Sequence, residues 1–360
     1  MEIAALLALT LLGISASLFI DTDDDDDSDA TDGSGGDGTD TGGDGTDTGG
    51  GSDGGSDDGI LTADGVTFGS EGGDTLTTSD ADTVVGAGGD DAITGDADDN
   101  ILDGQDGDDS VFGGAGNDQV FGSAGNDSAE GNDGNDLVAG GSGDDELFGG
   151  LGDDTLFGDA GDDRVDGQEG NDQVVGGTGN DELFGGAGND TIFGNEGDDS
   201  ILDGDGEDSL VGGAGADTLD GGAGNDQLFG IFDGDDDDVT IAAQDILDPD
   251  VLLGGEGADD IQLGSGDVAM GEDGADIFYT GTWVDPDNAP MIMDLQSDEV
   301  VIVSVPVGTS GDMDVALETD ADTGDTLVQV SGQTVAIVSS GAAPVTVDQI
   351  LVVESLNIAA

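Results

Sequence analysis

The sequence predicts an all-β fold, a β-solenoid in which short strands and glycine-rich turns wind into stacked coils. Three observations predict it. From residue 86 to residue 229 the chain keeps one unbroken nine-residue register through sixteen repeats. An aliphatic side chain falls at step eight in fifteen of them, Ala129 being the exception. Glycine falls at steps one and four and aspartate at step six, fifteen times each, with Asp203, Asp98 and Asn100 as the exceptions. Repetition held for so long is the signature of a solenoid, whose units bury their apolar faces only against their neighbours.

The elements follow in chain order. Residues 3–20, IAALLALTLLGISASLFI, carry no charge. Eighteen such residues is about the lower limit for a helix that spans a bilayer. Two readings stand for residues 1–20: a membrane anchor or uncleaved signal, and a secretory signal cut after Ser17. Ser15 and Ser17 are small at the cleavage spacing, whereas Glu2 stands where a signal carries basic residues. Any membrane contact is expected through residues 3–20 alone. Residues 21–59 are almost entirely Asp, Gly, Ser and Thr. Nothing there can be buried and like charges repel, so a disordered acidic linker is expected, a spacer first and a weak calcium reservoir second. Residues 60–85 read as an N-terminal cap with degenerate repeats, ahead of a solenoid over 86–283.

Each repeat divides in two. The first six residues, Gly-Gly-x-Gly-x-Asp, form a turn, because glycine reaches positive φ without steric penalty and Asn or Asp at step five tolerates it. The last three make a short strand with step eight inward and steps seven and nine outward. Two repeats close one flattened coil, and coils stack at the strand spacing of about 4.8 Å. Residues 231–253 interrupt the register as an acidic insertion containing DGDDDD, and looser repeats with Asp259, Asp267 and Asp276 follow. Over 284–360 the pattern changes. EVVIVSV alternates, and TLVQVSGQTVAIV reads as two strands around a glycine turn. A small C-terminal β cap is expected, covering an end that would otherwise present unpaired strand edges.

The charge balance narrows the chemistry. Eighty-seven Asp and Glu face one basic residue, Arg164, for a formal net charge of −86. Nucleic acid is excluded as a natural partner, and so are anionic membrane surfaces; cations are implied. The chain has no His, Cys or Lys. That removes the histidine base, the thiolate, the Schiff-base and P-loop lysines, and zinc sites built on His and Cys. HExxH is absent too. The chain reads as no enzyme.

Stacking sets the step-six carboxylates above one another, Asp172 above Asp154 for example. Two bare charges about 4.8 Å apart repel by roughly 1 kcal/mol in water and about 3–4 kcal/mol at an effective dielectric near 20. One inward aliphatic per repeat returns about 1.5–3 kcal/mol, against about 1–2 kcal/mol of backbone ordering for every residue. A metal-free rod is expected to be unstable. A hard dication held between coils reverses this. Calcium takes about six to eight oxygens in flexible geometry, which carboxylates and turn carbonyls supply; magnesium demands a stricter octahedron. The candidate ligands are Asp91, Asp109, Asp118, Asp127, Asp136, Asp145, Asp154, Asp163, Asp172, Asp181, Asp190, Asp199, Asp208, Asp217 and Asp226, joined by Asp259 and Asp276. On the order of a dozen Ca2+ ions are expected, with binding and folding as one event.

The nonapeptide Gly-Gly-x-Gly-x-Asp-x-U-x, with U large and aliphatic, resembles the RTX or hemolysin-type calcium-binding repeat, strongly over 86–229 and more loosely over 254–278. The resemblance implies a right-handed parallel β-roll, export as an unfolded chain and folding in calcium outside the cell. The stretch IMDLQSDEVVIV looks like the cap that follows such repeats, and VVESLNIAA is compatible with an uncleaved C-terminal secretion signal. The hydrophobic N-terminus departs from that export pattern. The resulting expectation is an exported bacterial calcium-binding repeat protein, extracellular or at the cell surface, with a structural, surface or adhesion role. The alternative is the non-catalytic RTX module of an extracellular enzyme or toxin-like protein. An ice-binding face would want threonine in rows, whereas step seven reads Ser, Gln, Ser, Leu, Glu, Thr, Arg, Gln over 110–173.

A second period overlies the first. Phe112, Phe121, Phe148, Phe157, Phe184 and Phe193 sit at step nine in pairs that recur every 36 residues. Duplication of a two-coil unit with strand-favouring Phe explains them. A sticky outer face for surface contact or self-association is the other reading. Arg164 is expected in a local ion pair, and Tyr279 and Trp283 in packing against the cap.

Overall fold

The computed structural model describes residues 61–355, apart from 64, 79–82, 231–248, 282–283, 307–312, 340 and 343. The hydrophobic segment 3–20, the linker 21–59 and Trp283 lie outside the described residues. Among the described residues no helix is long and apolar enough to cross a membrane.

Each nine-residue step becomes one strand and one turn. The strands Ser110–Ala115, Gln119–Ala124, Ser128–Asp133 and their successors begin at step seven. Each pairs with the second unit along, not the next. Val120 stands beside Leu102 and Val138, while Val111 stands beside Ile93 and Ala129. Among the described residues, alternate strands therefore build two sheets of fifteen strands each. The first sheet starts with Leu61–Ala63 antiparallel to Val66–Phe68 and runs parallel from there to Ile350–Ser355. The second runs parallel from Thr75–Thr77 through Met291–Ile292 to Gln333–Val338 and ends in an antiparallel meander. The architecture is the expected parallel β-solenoid.

Burial follows the repeat. In Thr155–Ala160 and its kin, step eight and the step-one residue are buried, while steps seven and nine are half-covered. The step-eight side chains from Ile93 to Leu228 are no more than 1 % exposed. They form one apolar cluster that starts at Leu76 and continues into cap residues such as Val335 and Ile350. Because step one is almost always glycine, this core is one side chain deep on each sheet.

The left-handed backbone positions are steps two and four. Gly177 and Gly179 have φ of 126° and 133°. Step two also takes Gln168 at φ 76° and Asn195 at φ 80°. No step-five residue has positive φ among the described residues, so the Asn and Asp there are not chosen for turn conformation. Step four is stricter than step two. Gly170 has φ of 153°, and a Cβ there would run into the carbonyl of Gly152 in the adjacent coil. Both partners are backbone, so neither can move aside. Gly170→Ala is expected to cost on the order of 3 kcal/mol. Thermal unfolding in calcium-containing buffer checks this, with Ala160→Ser at an exposed strand end as the neutral control.

The stack survives its insertion. Residues 231–248 lie outside the described residues, yet Thr218 pairs with Val251 and Gln227 with Asp260. Residues 250–253 are already inside the stack, within or just before the strand Val251–Gly257. At the C-terminal end the sheets continue into the cap. Thr326–Val330 and Gln333–Val338 form the expected hairpin, turned by Ser331 and Gly332 at φ of 53° and 82°.

Candidate metal centre

Step six ends each turn just before a strand, and its side chain points into the coil. Asp109, Asp154 and Asp163 are each 2 % exposed. A buried carboxylate needs donors, and the backbone of the adjacent coil supplies one. The amide of Asp91 donates to Oδ1 of Asp109 at 2.7 Å, and that of Asp109 to Oδ1 of Asp127 at 2.8 Å. The same bond repeats eighteen residues at a time.

Two ladders result. One joins Asp74, Asp91, Asp109, Asp127, Asp145, Asp163, Asp181, Asp199, Asp217, Asp250 and Asp267. The other joins Asn100, Asp118, Asp136, Asp154, Asp172, Asp190, Asp208, Asp226, Asp259 and Asp276. All seventeen step-six aspartates singled out by the sequence fall into these two rows, including Asp259 and Asp276 beyond the insertion.

The ladder uses only half of each carboxylate. In sixteen of the seventeen, Oδ2 is buried without a hydrogen-bond donor. Asp217 takes the same place, its Oδ1 on the Asp199 amide at 2.9 Å. The free oxygens face the step-one glycines. A Cβ on Gly158 would lie 2.5 Å from Asp163 Oδ2 and 2.6 Å from the carbonyl oxygen of Gly176 in the adjacent coil. Gly167 repeats this with Asp172 Oδ2 at 2.6 Å and the Gly185 carbonyl at 2.7 Å. Step one is glycine because carboxylate and carbonyl oxygens of two coils converge there. An all-oxygen lining of this kind suits a hard cation such as calcium and offers a soft metal no nitrogen or sulfur.

The family model for the RTX calcium-binding nonapeptide repeat (4 copies) matches in overlapping windows: residues 68–102, 76–111, 94–129, 112–147, 130–165, 139–174, 166–201, 202–230 and 248–268. The chain belongs to the RTX calcium-binding nonapeptide repeat family. Among curated proteins none matches it. RTX repeats bind calcium, and the buried aspartate rows fit that ion.

The rest of the RTX turn has its own order. Step-five side chains form a second, exposed ladder that runs the opposite way. The amide of Asn126 donates to Oδ1 of Asp108 at 2.9 Å, and that of Asn180 to Oδ1 of Asp162 at 2.8 Å. Asn and Asp interchange at step five because only an acceptor oxygen is needed, as in Asn135 to Asn117 at 2.9 Å. Along one row the turns flank an open groove of about 520 Å³ whose lining includes Asp108, Asp144, Asp145 and Asp162.

Electrostatics within the RTX rows is one-signed. Burial, only partly offset by the neighbouring amide, pushes Asp127, Asp136 and Asp163 up to about 6. It takes Asp145, Asp154 and Asp199 to about 7, with carboxylates on both sides in the row adding to the shift. The row ends differ from the middle. Asp267 has both oxygens satisfied, Oδ1 by the Asp250 amide at 3.2 Å and Oδ2 by the Gly264 amide. Beyond Asp276 the fully buried Glu299 precedes Val300–Pro306 just as step-six aspartates precede their strands. Its Oε2 accepts from the Gln296 amide at 2.6 Å, and burial together with Asp276 pushes it up to about 8. Sequence reasoning missed Glu299; an acid directly before an apolar strand was the available signal.

The step-nine rings occupy different surroundings on the two sheets. On the first, Phe121, Ala139, Phe157, Val175, Phe193, Val211 and Phe229 are successive cross-strand neighbours in one unbroken apolar column. On the second, Phe112, Phe148 and Phe184 alternate with Glu130 and Asp166. There Arg164 lies 4.3 Å over the Phe184 ring and 6.0 Å from Phe148. Its nitrogens approach Glu146 at 3.9 Å and Asp166 at 3.8 Å, the local ion pairing expected of it. Tyr279 donates its hydroxyl to Asp260 Oδ1 at 3.3 Å in the last coils before the cap.

Proposed function

We propose that this RTX protein is an exported calcium-binding rod that folds on calcium outside the cell and acts there as a structural, surface or adhesion element, without catalysis. The observation that carries the reading is the double row of buried carboxylates, most of them held by one oxygen while the other faces an oxygen-lined gap. Such rows are costly empty and favourable filled, so the chain is built to meet calcium after synthesis. We assign the step-six aspartates from Asp91 to Asp226, with Asp259 and Asp276, as ligands of on the order of a dozen ions. Calcium-poor cytoplasm keeps such a chain loose enough to export, and calcium outside then sets its shape. The outer column from Phe121 to Phe229 supports a contact role in addition, since it is apolar without interruption.

Two measurements test this together. Equilibrium dialysis at millimolar calcium is expected to return on the order of a dozen ions per chain. Fractionation of the host, with protease applied to intact cells, is expected to find the tagged protein outside. A chain confined to the cytoplasm sinks export, and only one or two bound ions sink the assignment of the rows.

A further inference from the structure

Asp203 breaks the rule that leaves step one without a side chain. The other fifteen repeats have glycine there, where carboxylate and carbonyl oxygens crowd the space a Cβ would take. Asp203 nevertheless fits, 4 % exposed. Its Oδ1 lies over the Cα of Gly185 in the adjacent coil, where Asp190 Oδ2 also converges, 2.7 Å from where a Cβ would stand. Asp190, Asp203 and Asp208 are all buried, and each offers a carboxylate oxygen within 4.8 Å of the other two. Asp190 and Asp208 are successive members of one row, so Asp203 adds a third carboxylate to an existing pair.

The side chain finds no hydrogen-bond donor in its surroundings. Among the described residues Asp203 is the one carboxylate that leaves both oxygens buried without a hydrogen-bond donor. The half-buried Asp103, also off the ladder positions, finds donors, accepting from Gln105 at 3.1 Å and from Ser123 at 2.9 Å. Three carboxylates packed together with donors on only two of their six oxygens repel one another and have lost water, an unfavourable state that a cation joining them relieves.

We propose that Asp190, Asp203 and Asp208 form a discrete three-carboxylate site for Ca2+, which fills before the two-carboxylate steps of the same row. It rests on the reading that the rows hold calcium. Oxygens bound to one calcium at about 2.3–2.6 Å lie at most about 5 Å apart, which the cluster satisfies. Two of the three side chains are already oriented. The Asp172 amide holds Asp190 Oδ1 at 2.8 Å and the Asp190 amide holds Asp208 Oδ1 at 2.9 Å, so both Oδ2 atoms stay free for the ion. A third anionic ligand raises the charge at this one step, and charge count is a main determinant of affinity at calcium sites.

The test uses the full chain and Ca2+ itself. Equilibrium dialysis with radioactive calcium across chelator-buffered concentrations is read beside far-ultraviolet circular dichroism. One ion per chain is expected to bind at free calcium at least about tenfold below the rest. Asp203→Gly restores the residue of the other repeats and is expected to lose that one tight ion while keeping the others and the saturated spectrum. Asp203→Asn is expected to weaken the tight ion by about tenfold at nearly constant volume. Should Asp203→Gly fail to fold, the Asn variant decides by the same comparison. Superimposable isotherms for wild type and variants, with calcium bound by all, overturn the site and leave the rows intact. A wild-type chain that binds no calcium overturns the rows and this site with them.

Discussion

Chelation of calcium at neutral pH is expected to convert this β-roll from a protease-resistant rod into an extended coil. The reason lies in the carboxylates, not in the core. Burial lifts Asp127 and Asp163 from 3.8 to about 6 and Asp145 to about 7. Keeping one such group ionised in the ion-free fold costs about 3 kcal/mol, from roughly two pKa units at about 1.4 kcal/mol each. A whole domain is typically stable by about 5–15 kcal/mol, so a handful of these groups exceeds it. The amide bond to each Oδ1 is already included in those values, and it does not close the gap. The apolar core cannot compensate, because within a repeat step eight is the position that contributes an inward apolar side chain. Circular dichroism and limited proteolysis at pH 7.5 provide the check. In EGTA the β signal and the resistant fragment should vanish; millimolar calcium should restore both, and magnesium should do so poorly because of its octahedral demand. A chain that keeps its protease resistance after exhaustive dialysis against EGTA would show that the rows do not need an ion.

Much of this was legible in the sequence, for a physical reason. A solenoid maps sequence period directly onto spatial period, so an aliphatic every nine residues had to become two inward columns, and Asp172 had to lie above Asp154 once eighteen residues closed a coil. The two carboxylate rows are therefore a consequence of the register. Spacing says which residues are neighbours and leaves open which atom meets which. Hence the role of step five was misread: Asn126 and Asp108 are there as acceptors for the adjacent coil, not as residues tolerant of positive φ. Asp267 shares the spacing of its neighbours but has both oxygens satisfied, because Gly264 brings an extra amide. Asp203 and Glu299 lie at places where the pattern itself departs from its norm, one at a glycine step and one in the cap. A consensus averages such departures away, and only the fold shows that both converge on row members.

Acidification without calcium is expected to do part of the ion's work. The unfolded chain holds its carboxyls near the ordinary 3.8, whereas in the fold burial lifts Asp136 to about 6 and Asp145 and Asp154 to about 7. Between those values the folded chain binds more protons than the unfolded one, so stability rises as pH falls through about 7 towards 4. Below about 4 both states are protonated and the gain is complete; above about 7 it is gone. In EGTA the β signal should therefore grow as pH is lowered from 8 to 4.5, starting from coil. Calcium should show the reverse trend. Proton and ion compete for the same Oδ2 atoms, so the calcium concentration at half-folding should climb as pH drops through 7 to 6. Exposed Asp153, held below the ordinary range by the Asn171 amide, would push the EGTA curve the other way. Paired titrations by circular dichroism, one in EGTA and one at fixed calcium, decide the matter. An EGTA curve that stays flat to pH 4.5, or a calcium midpoint indifferent to pH between 6 and 8, would mean that the buried oxygens of the rows are not where protons and calcium exchange.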